Sequence, residues 1–297
     1  SEYFGEIRVG TPAQVFRALF DTGSANMWLP SLTCEAPTCH AHARFDCAAS
    51  STCDVHDKRV TVQFGTGLIE GVTASDDVQL DDELRITAQP LILVSDERHF
   101  PSAQLPFAAV VGLSRAQPAD SDSPPLPQQL FERQILERRV FSLLLSPPPL
   151  PSALTLGGYD ASQLGSELRW SRVRHNSPYW QLTMRTVRVG GVPLRGCTGG
   201  TCSVVVDSGT SLFTAPTEHV REILDRLALP SLDADCSRHS LPLLEFELEG
   251  GVVTFRPDEY TLRGSIGSDS ACAIGLMALD VPPPQGPLWV FGDLFLR

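Results

Sequence analysis

A repeated turn restricts this chain more than any other feature. Leu19-Phe20-Asp21-Thr22-Gly23-Ser24 returns in the second half as Val205-Val206-Asp207-Ser208-Gly209-Thr210. In each copy an apolar run of strand character delivers an aspartate into a turn of hydroxyl residue, glycine and hydroxyl residue. Glycine permits backbone conformations closed to other residues, so the carboxylate can stand at a tight tip. Neighbouring hydroxyls and backbone N–H groups can then fix its plane. Each copy is followed by two apolar residues and a glycine, Val110-Val111-Gly112 and Val290-Phe291-Gly292. One copy alone reads as an ordinary Asp-Gly-type turn. Two copies, one in each half, point to related halves that each supply one carboxylate. Facing carboxylates cannot both ionise easily, so they share a proton and titrate as a pair. Such a pair can activate a water with one group and polarise a carbonyl with the other.

At 297 residues the chain can form two domains of ordinary size, each with a substantial core. Runs rich in Val, Ile, Leu, Phe and Thr, bounded by Gly, Pro, Ser and Asp, recur at Phe16 to Phe20, Val60 to Phe64 and Val252 to Phe255. That pattern predicts an all-β class. Helical spacing occurs only at Pro127 to Arg139 and at Thr217 to Leu227, the second with Thr217 as N-cap. Proline-rich stretches at 123–127, 147–151 and 282–287 read as loops rather than polyproline ligands. The segment from Pro147 to about Arg169 is the candidate passage between two lobes, 1–167 and 168–297.

No apolar run approaches the roughly 18 residues that span a bilayer. A net charge of -12, from 23 basic and 35 acidic residues, argues against nucleic acid as a partner. The eight cysteines fall into the pairs Cys34-Cys39, Cys47-Cys53, Cys197-Cys202 and Cys236-Cys272, which read as disulfides formed in an oxidising compartment. Metal binding is the rival reading, because His40 and His42 follow Cys39, but the spacing lacks a C-x2-C knuckle, and no metal or cofactor is expected. Asn26 and Asn176 open no glycosylation sequon. Gly65-Thr66-Gly67 with Gly71 misses a dinucleotide fingerprint by one position, and no Gly-X-Ser-X-Gly elbow is present. His99, His175 and His239 stand isolated and read as surface or structural residues.

Beyond the repeat, Tyr3-Phe4-Gly5-Glu6-Ile7, Val9-Gly10-Thr11-Pro12, Trp28-Leu29-Pro30, Arg44-Phe45-Asp46, Ser50-Ser51-Thr52, Phe64-Gly65-Thr66-Gly67 and Tyr179-Trp180-Gln181 follow in order. With them the chain resembles the pepsin and cathepsin D family of aspartic proteases along nearly its whole length. The resemblance implies a bilobal β fold with a cleft between the lobes, and catalysis by Asp21 and Asp207. It implies that Thr22 and Ser208 brace the two turns, that Gly23 and Gly209 shape them, and that Ser24 and Thr210 bond the outer carboxylate oxygens. Phe64, Gly65 and Thr66 would form the flap, with Trp28, Leu19, Phe107, Val110 and Val205 as the apolar surroundings of the dyad. Three of the four cysteine pairs match the usual bridges of the family, and Cys47-Cys53 is an addition.

The same resemblance implies an endopeptidase acting on polypeptides with apolar residues around the cut, at acidic pH. It would be a monomer made with an N-terminal propeptide, secreted or held in an acidic secretory or endolysosomal compartment, and blocked by statine-type inhibitors. Any signal peptide or propeptide is expected outside this sequence. Several positions depart from the pattern. Phe64 stands where the flap tyrosine is usual, so the hydroxyl that would reach the indole of Trp28 is missing. Ala108-Ala109 replaces Asp-Gly, and the sequence stops at Arg297 where relatives continue into further strands, so it is either a fragment or lacks them. These departures support a second reading, a non-catalytic binding protein on the same fold.

Overall fold

A computed structural model describes residues 3–64, 67–98, 105–118, 123–147, 149–227, 241–266, 269–283 and 285–297, with side chains left out at 64, 263–266 and 269–271. Strands dominate and helices are short, in keeping with the all-β class. The chain divides into two compact units, Ser1–Ser142 with Leu154–Tyr159, and Leu143–Ala153 with Asp160–Arg297.

Unit 1 is built on seven strands: β1 (Phe4–Val9), β2 (Gln14–Asp21), β3 (Met27–Pro30), β4 (Asp54–Phe64), β5 (Gly67–Gln79), β6 (Arg85–Arg98) and β7 (Ala109–Gly112). They are ordered β1-β2-β7-β3-β6-β5-β4. Alternate residues of the central strands enter two different clusters. Ala18, Met27, Leu29, Leu91, Leu93, Ala109 and Val111 join one, while Leu19, Trp28, Ile92, Val94 and Val110 join the other. A sheet covered on both faces needs continuous apolar strands, hence Met27-Trp28-Leu29-Pro30 and Ala109-Val110-Val111 rather than an alternating pattern. β5 changes its buried side after Gly71, next to the shift of its register with β6 between Glu70 and Gly71. Ile69 before the shift faces the smaller cluster, and Ala74 and Val78 after it face the larger.

The boundary between the units crosses the ribbon of β8 (Phe141–Leu144) and β9 (Ala153–Leu156). Unit 2 carries β10 (Gln181–Val189), β11 (Val192–Pro193), β12 (Cys202–Val206), β13 (Phe213–Ala215), β14 (Leu244–Leu248) and β15 (Gly251–Phe255). It continues with β16 (Thr261–Ile266), β17 (Asp269–Ile274), β18 (Leu276–Ala278) and β19 (Trp289–Phe291). Its main sheet runs β15-β14-β10-β12-β19-β13-β18. β14 alternates buried Leu244, Phe246 and Leu248 with glutamates, the signature of a strand wet on one face. The core there is aromatic: Phe246 lies 4.9 Å from Phe291 edge-on, and Phe291 stacks on Phe295 at 4.4 Å.

Helices α1 (Leu126–Glu132), α2 (Thr217–Leu227), α3 (Pro257–Tyr260) and α4 (Asp293–Leu296) correct two expectations. The helix expected to reach Arg139 stops at Glu132, because Gln134 takes a positive φ of 58° and the N–H groups of Ile135 and Leu136 fold back onto the Leu130 carbonyl. α2 has the expected bounds, but Thr217 is its first residue and not its cap. The Thr217 N–H and hydroxyl both donate to the Asp280 carboxylate, at 2.8 and 2.6 Å. Those two bonds hold the Asp280 carboxyl below its ordinary range, the hydroxyl contributing most.

Tyr260, with no exposed surface, closes α3 and donates its phenol to the Pro242 carbonyl at 2.6 Å. Burial pushes this phenol up to about 12. Tyr260→Phe removes the donor to the carbonyl of half-buried Pro242 and is expected to cost about 1–2 kcal/mol, read as a fall in melting temperature of about 2–6 °C at pH 7.

Candidate active site

Each aspartate of the repeat stands at the end of the first strand of the same local construction, Asp21 as the last residue of β2 and Asp207 just past β12. In unit 1, β2 runs parallel to β7 with Leu19 opposite Val110 and Asp21 opposite Gly112, and β3 returns antiparallel on the other side of β7, with Trp28 opposite Val110. In unit 2, β12 runs parallel to β19 with Val205 opposite Val290, and β13 returns antiparallel with Phe213 opposite Phe291. The two halves of the sequence repeat thus become one design used twice.

A glycine at the end of the later strand of each pair, Gly112 as the last residue of β7 and Gly292 just after β19, lies against the backbone of the turn. A Cβ on Gly112 would sit 2.2 Å from the carbonyl carbon of Ala25, and one on Gly292 would sit 2.1 Å from the Thr210 carbonyl oxygen. Real side chains never approach so closely, so glycine is required at both places. Backbone bonds tie the layers together: the Leu113 N–H donates to the Asp21 carbonyl at 2.7 Å, the Asp207 N–H to Phe291 at 2.9 Å, and the Asp293 N–H to Thr210 at 2.8 Å.

Within each turn the carboxylate receives the same two donors. The Gly23 N–H bonds Asp21 Oδ1 at 2.8 Å and the Ser24 hydroxyl bonds Oδ2 at 2.5 Å. The Gly209 N–H bonds Asp207 Oδ1 at 2.8 Å and the Thr210 hydroxyl bonds Oδ2 at 2.7 Å. A backbone donor on one oxygen and a hydroxyl donor on the other fix the carboxylate plane. Asp21, Thr22 and Ser208 are buried and Asp207 half-buried.

Leu19, Trp28, Phe107 and Val110 share one buried cluster behind the Asp21 turn, and Val205 is buried on β12, one strand position before Val206. Ala108 and Ala109 are buried as well. Ala109 enters β7 opposite Ala18, and the Ala108 N–H donates to the Arg17 carbonyl at 3.0 Å. Phe64 ends β4, whereas Gly65 and Thr66 of the expected flap, together with His99 and His239, lie outside the described residues.

Cys34–Cys39, Cys47–Cys53 and Cys197–Cys202 are bonded, and Cys272 is disulfide-bonded too, its expected partner Cys236 lying outside the described residues. The Cys34–Cys39 bond removes the thiolate that a metal beside His40 and His42 would need. Cys47–Cys53 closes a loop around Ser50, whose hydroxyl accepts the Thr11 N–H at 2.9 Å. Among the described residues no helix is long and apolar enough to cross a membrane.

Sequence reasoning missed the backbone carbonyls of Asn26, Thr210 and Phe291 that hold the turns, and the cap supplied by Asp280. They act through main-chain atoms or across more than sixty positions, and leave no local signal.

Comparison with known proteins agrees with this construction. The family described as "Eukaryotic aspartyl protease" matches residues 2–297. Cathepsin E-A of Xenopus laevis is 34% identical over 311 residues, covering 99% of this chain and 75% of its own length. Cathepsin E of Mus musculus is 32% identical over 304 residues, covering 100% and 76%. Pepsin A of Sus scrofa is 34% identical over 304 residues, covering 100% and 77%. A match of that extent, on a chain whose two Asp-hydroxyl-Gly-hydroxyl turns are built alike, places it in the eukaryotic aspartyl protease family, as an aspartic-type endopeptidase.

Proposed function

We propose that Asp21 and Asp207 form the catalytic dyad and hydrolyse peptide bonds through a water held between their carboxyl groups. The observation that carries this reading is the identical pair of donors on each carboxylate, a backbone glycine N–H and a side-chain hydroxyl. One carboxylate takes a proton from the water while the protonated partner donates to the carbonyl oxygen of the scissile bond. The water oxygen bonds the carbonyl carbon, and collapse of the tetrahedral species expels the amine, which receives a proton from the dyad. Thr22 and Ser208, buried beside the two aspartates, brace the turns.

The substrate is an extended polypeptide with large apolar side chains around the cut, bonded through its backbone beneath a flap of Phe64, Gly65 and Thr66. Leu19, Trp28, Phe107, Val110 and Val205 supply the apolar surroundings of the dyad. A shared proton requires an acidic working pH. An N-terminal propeptide would keep the enzyme inactive until it reached an acidic secretory or endolysosomal compartment, where disulfides persist.

A statine-type mimic tests the dyad directly, because its hydroxyl takes the place of the water between the two carboxyls. Stoichiometric binding by calorimetry, matched by inhibition of cleavage of a denatured protein at acid pH, is the expected result. A pH–rate profile that rises through neutrality and stays high contradicts the shared-proton mechanism.

A further inference from the structure

His219 is the third residue of α2 and lies half-buried against Trp289, the first residue of β19, which is 1% exposed. The indole Nε1–H of Trp289 donates to His219 Nδ1 at 3.2 Å, and the two rings stack with centroids 5.7 Å apart. Nδ1 accepts that bond only as a bare lone pair, so the tautomer is fixed with hydrogen on Nε2, which faces Gly196 in the loop leading to Cys197. Once the imidazole is protonated both ring nitrogens are donors, and the indole N–H of a buried tryptophan is left against another N–H.

Trp289 anchors the strand beneath the second aspartate. It pairs with Val204 on β12, and two residues later the Phe291 carbonyl accepts the Asp207 N–H. We propose that His219 is a positioning residue that pins Trp289, and with it the strand supporting the Asp207 turn, while its imidazole is neutral, and releases that pin when protonated.

The charges around the ring do not remove the switch. Burial lowers the readiness of His219 to take a proton, and it outweighs the pull of Glu222 and Glu218 on the same helix. Glu222 is engaged elsewhere, by the Arg226 guanidinium and by the Arg195 N–H at 3.1 Å. Asp280, on the segment after β18, is committed to Thr217. The folded protein thus takes up this proton at lower pH than the unfolded chain does. The stabilisation is complete above the ordinary histidine value of about 6.5 and is lost as pH falls from there through the folded value.

The test compares the wild-type protein with His219→Gln, whose side-chain oxygen can accept from the indole at any pH. Four tryptophans give four indole N–H signals in a 15N correlation spectrum, and that of Trp289 is assigned in both proteins through its own indole ring protons and their Overhauser contact with the neighbouring Phe246 ring. Between pH 7.5 and 4.5 this signal is expected to titrate in the wild-type protein and to stay fixed in the variant. The variant's melting temperature, relative to wild type, is expected to rise by about 2–4 °C as pH falls across the same range. An indole signal that does not titrate in the wild-type protein, which needs no variant to observe, overturns the proposal, as does a melting difference independent of pH. Only the bearing on catalysis rests on Asp207 being catalytic. There kcat of the variant relative to wild type is expected to rise with acidity, and a flat ratio beside a titrating indole overturns the coupling to Asp207.

Discussion

Asp207→Asn is expected to lower the rate of peptide cleavage by roughly 10²–10⁴-fold or more while leaving the fold intact. The turn tolerates the change because each donor keeps a partner. The asparagine oxygen can still accept the Gly209 N–H, now 2.8 Å from Oδ1, and the Thr210 hydroxyl, 2.7 Å from Oδ2, can reverse its role and accept from the new amide. What is lost is chemical: an amide neither removes a proton from water nor holds one to give to a carbonyl. Asp21→Asn should behave alike, since Gly23 and Ser24 stand in the corresponding places. Initial rates on a denatured protein at acid pH, with circular dichroism and melting curves beside them, provide the check. Equal cleavage by wild type and both variants would remove Asp21 and Asp207 from the mechanism.

Gly112→Ala and Gly292→Ala are expected to be among the most destabilising single changes in the chain, by about 3 kcal/mol or more. The added methyl of Gly112→Ala meets main-chain atoms of Ala25 at 2.2, 2.4 and 2.6 Å. Ala25 cannot retreat, because the Gly112 N–H is bonded to the Asn26 carbonyl at 3.1 Å and the Ser114 N–H to the Ser24 carbonyl at 2.9 Å. Any relaxation drags the turn that holds Asp21, so activity and stability should fall together. Gly158 is the control, since nothing lies within 4 Å of an added Cβ there, and Gly158→Ala should change stability by no more than about 0.5 kcal/mol. Urea unfolding of the three variants separates these outcomes, and a wild-type midpoint for Gly112→Ala would contradict the contact argument.

Much of this site is legible in the linear order of residues because it is local. An apolar strand, an aspartate and a hydroxyl-Gly-hydroxyl turn occupy six consecutive positions, and their second appearance declares the internal repeat. Strands at Phe16 to Phe20, Val60 to Phe64 and Val252 to Phe255 are equally local, and all three form. Apolar spacing at Ile135 and Leu136 misleads, since the chain folds back onto the Leu130 carbonyl there, leaving Leu136 half-buried and Ile135 exposed. Capping of α2 by Asp280 and the pairing of His219 with Trp289 join positions 63 and 70 residues apart, and no motif announces them. The requirement for glycine at 112 and 292 is visible as a letter, but its reason resides in the carbonyl groups it touches.

The two-sided burial of β3, β7 and the C-terminal end of β2 bears on how this enzyme fails. A residue fastened to a segment sandwiched between two apolar layers cannot be released by fraying of a rim or by breathing of a loop. Losing Asp21 from its place therefore amounts to melting the whole of unit 1, so under the proposed dyad the activity and the cooperative transition of that unit are expected to share one threshold. Sequence at the periphery is free to drift without softening the layer that carries Asp21.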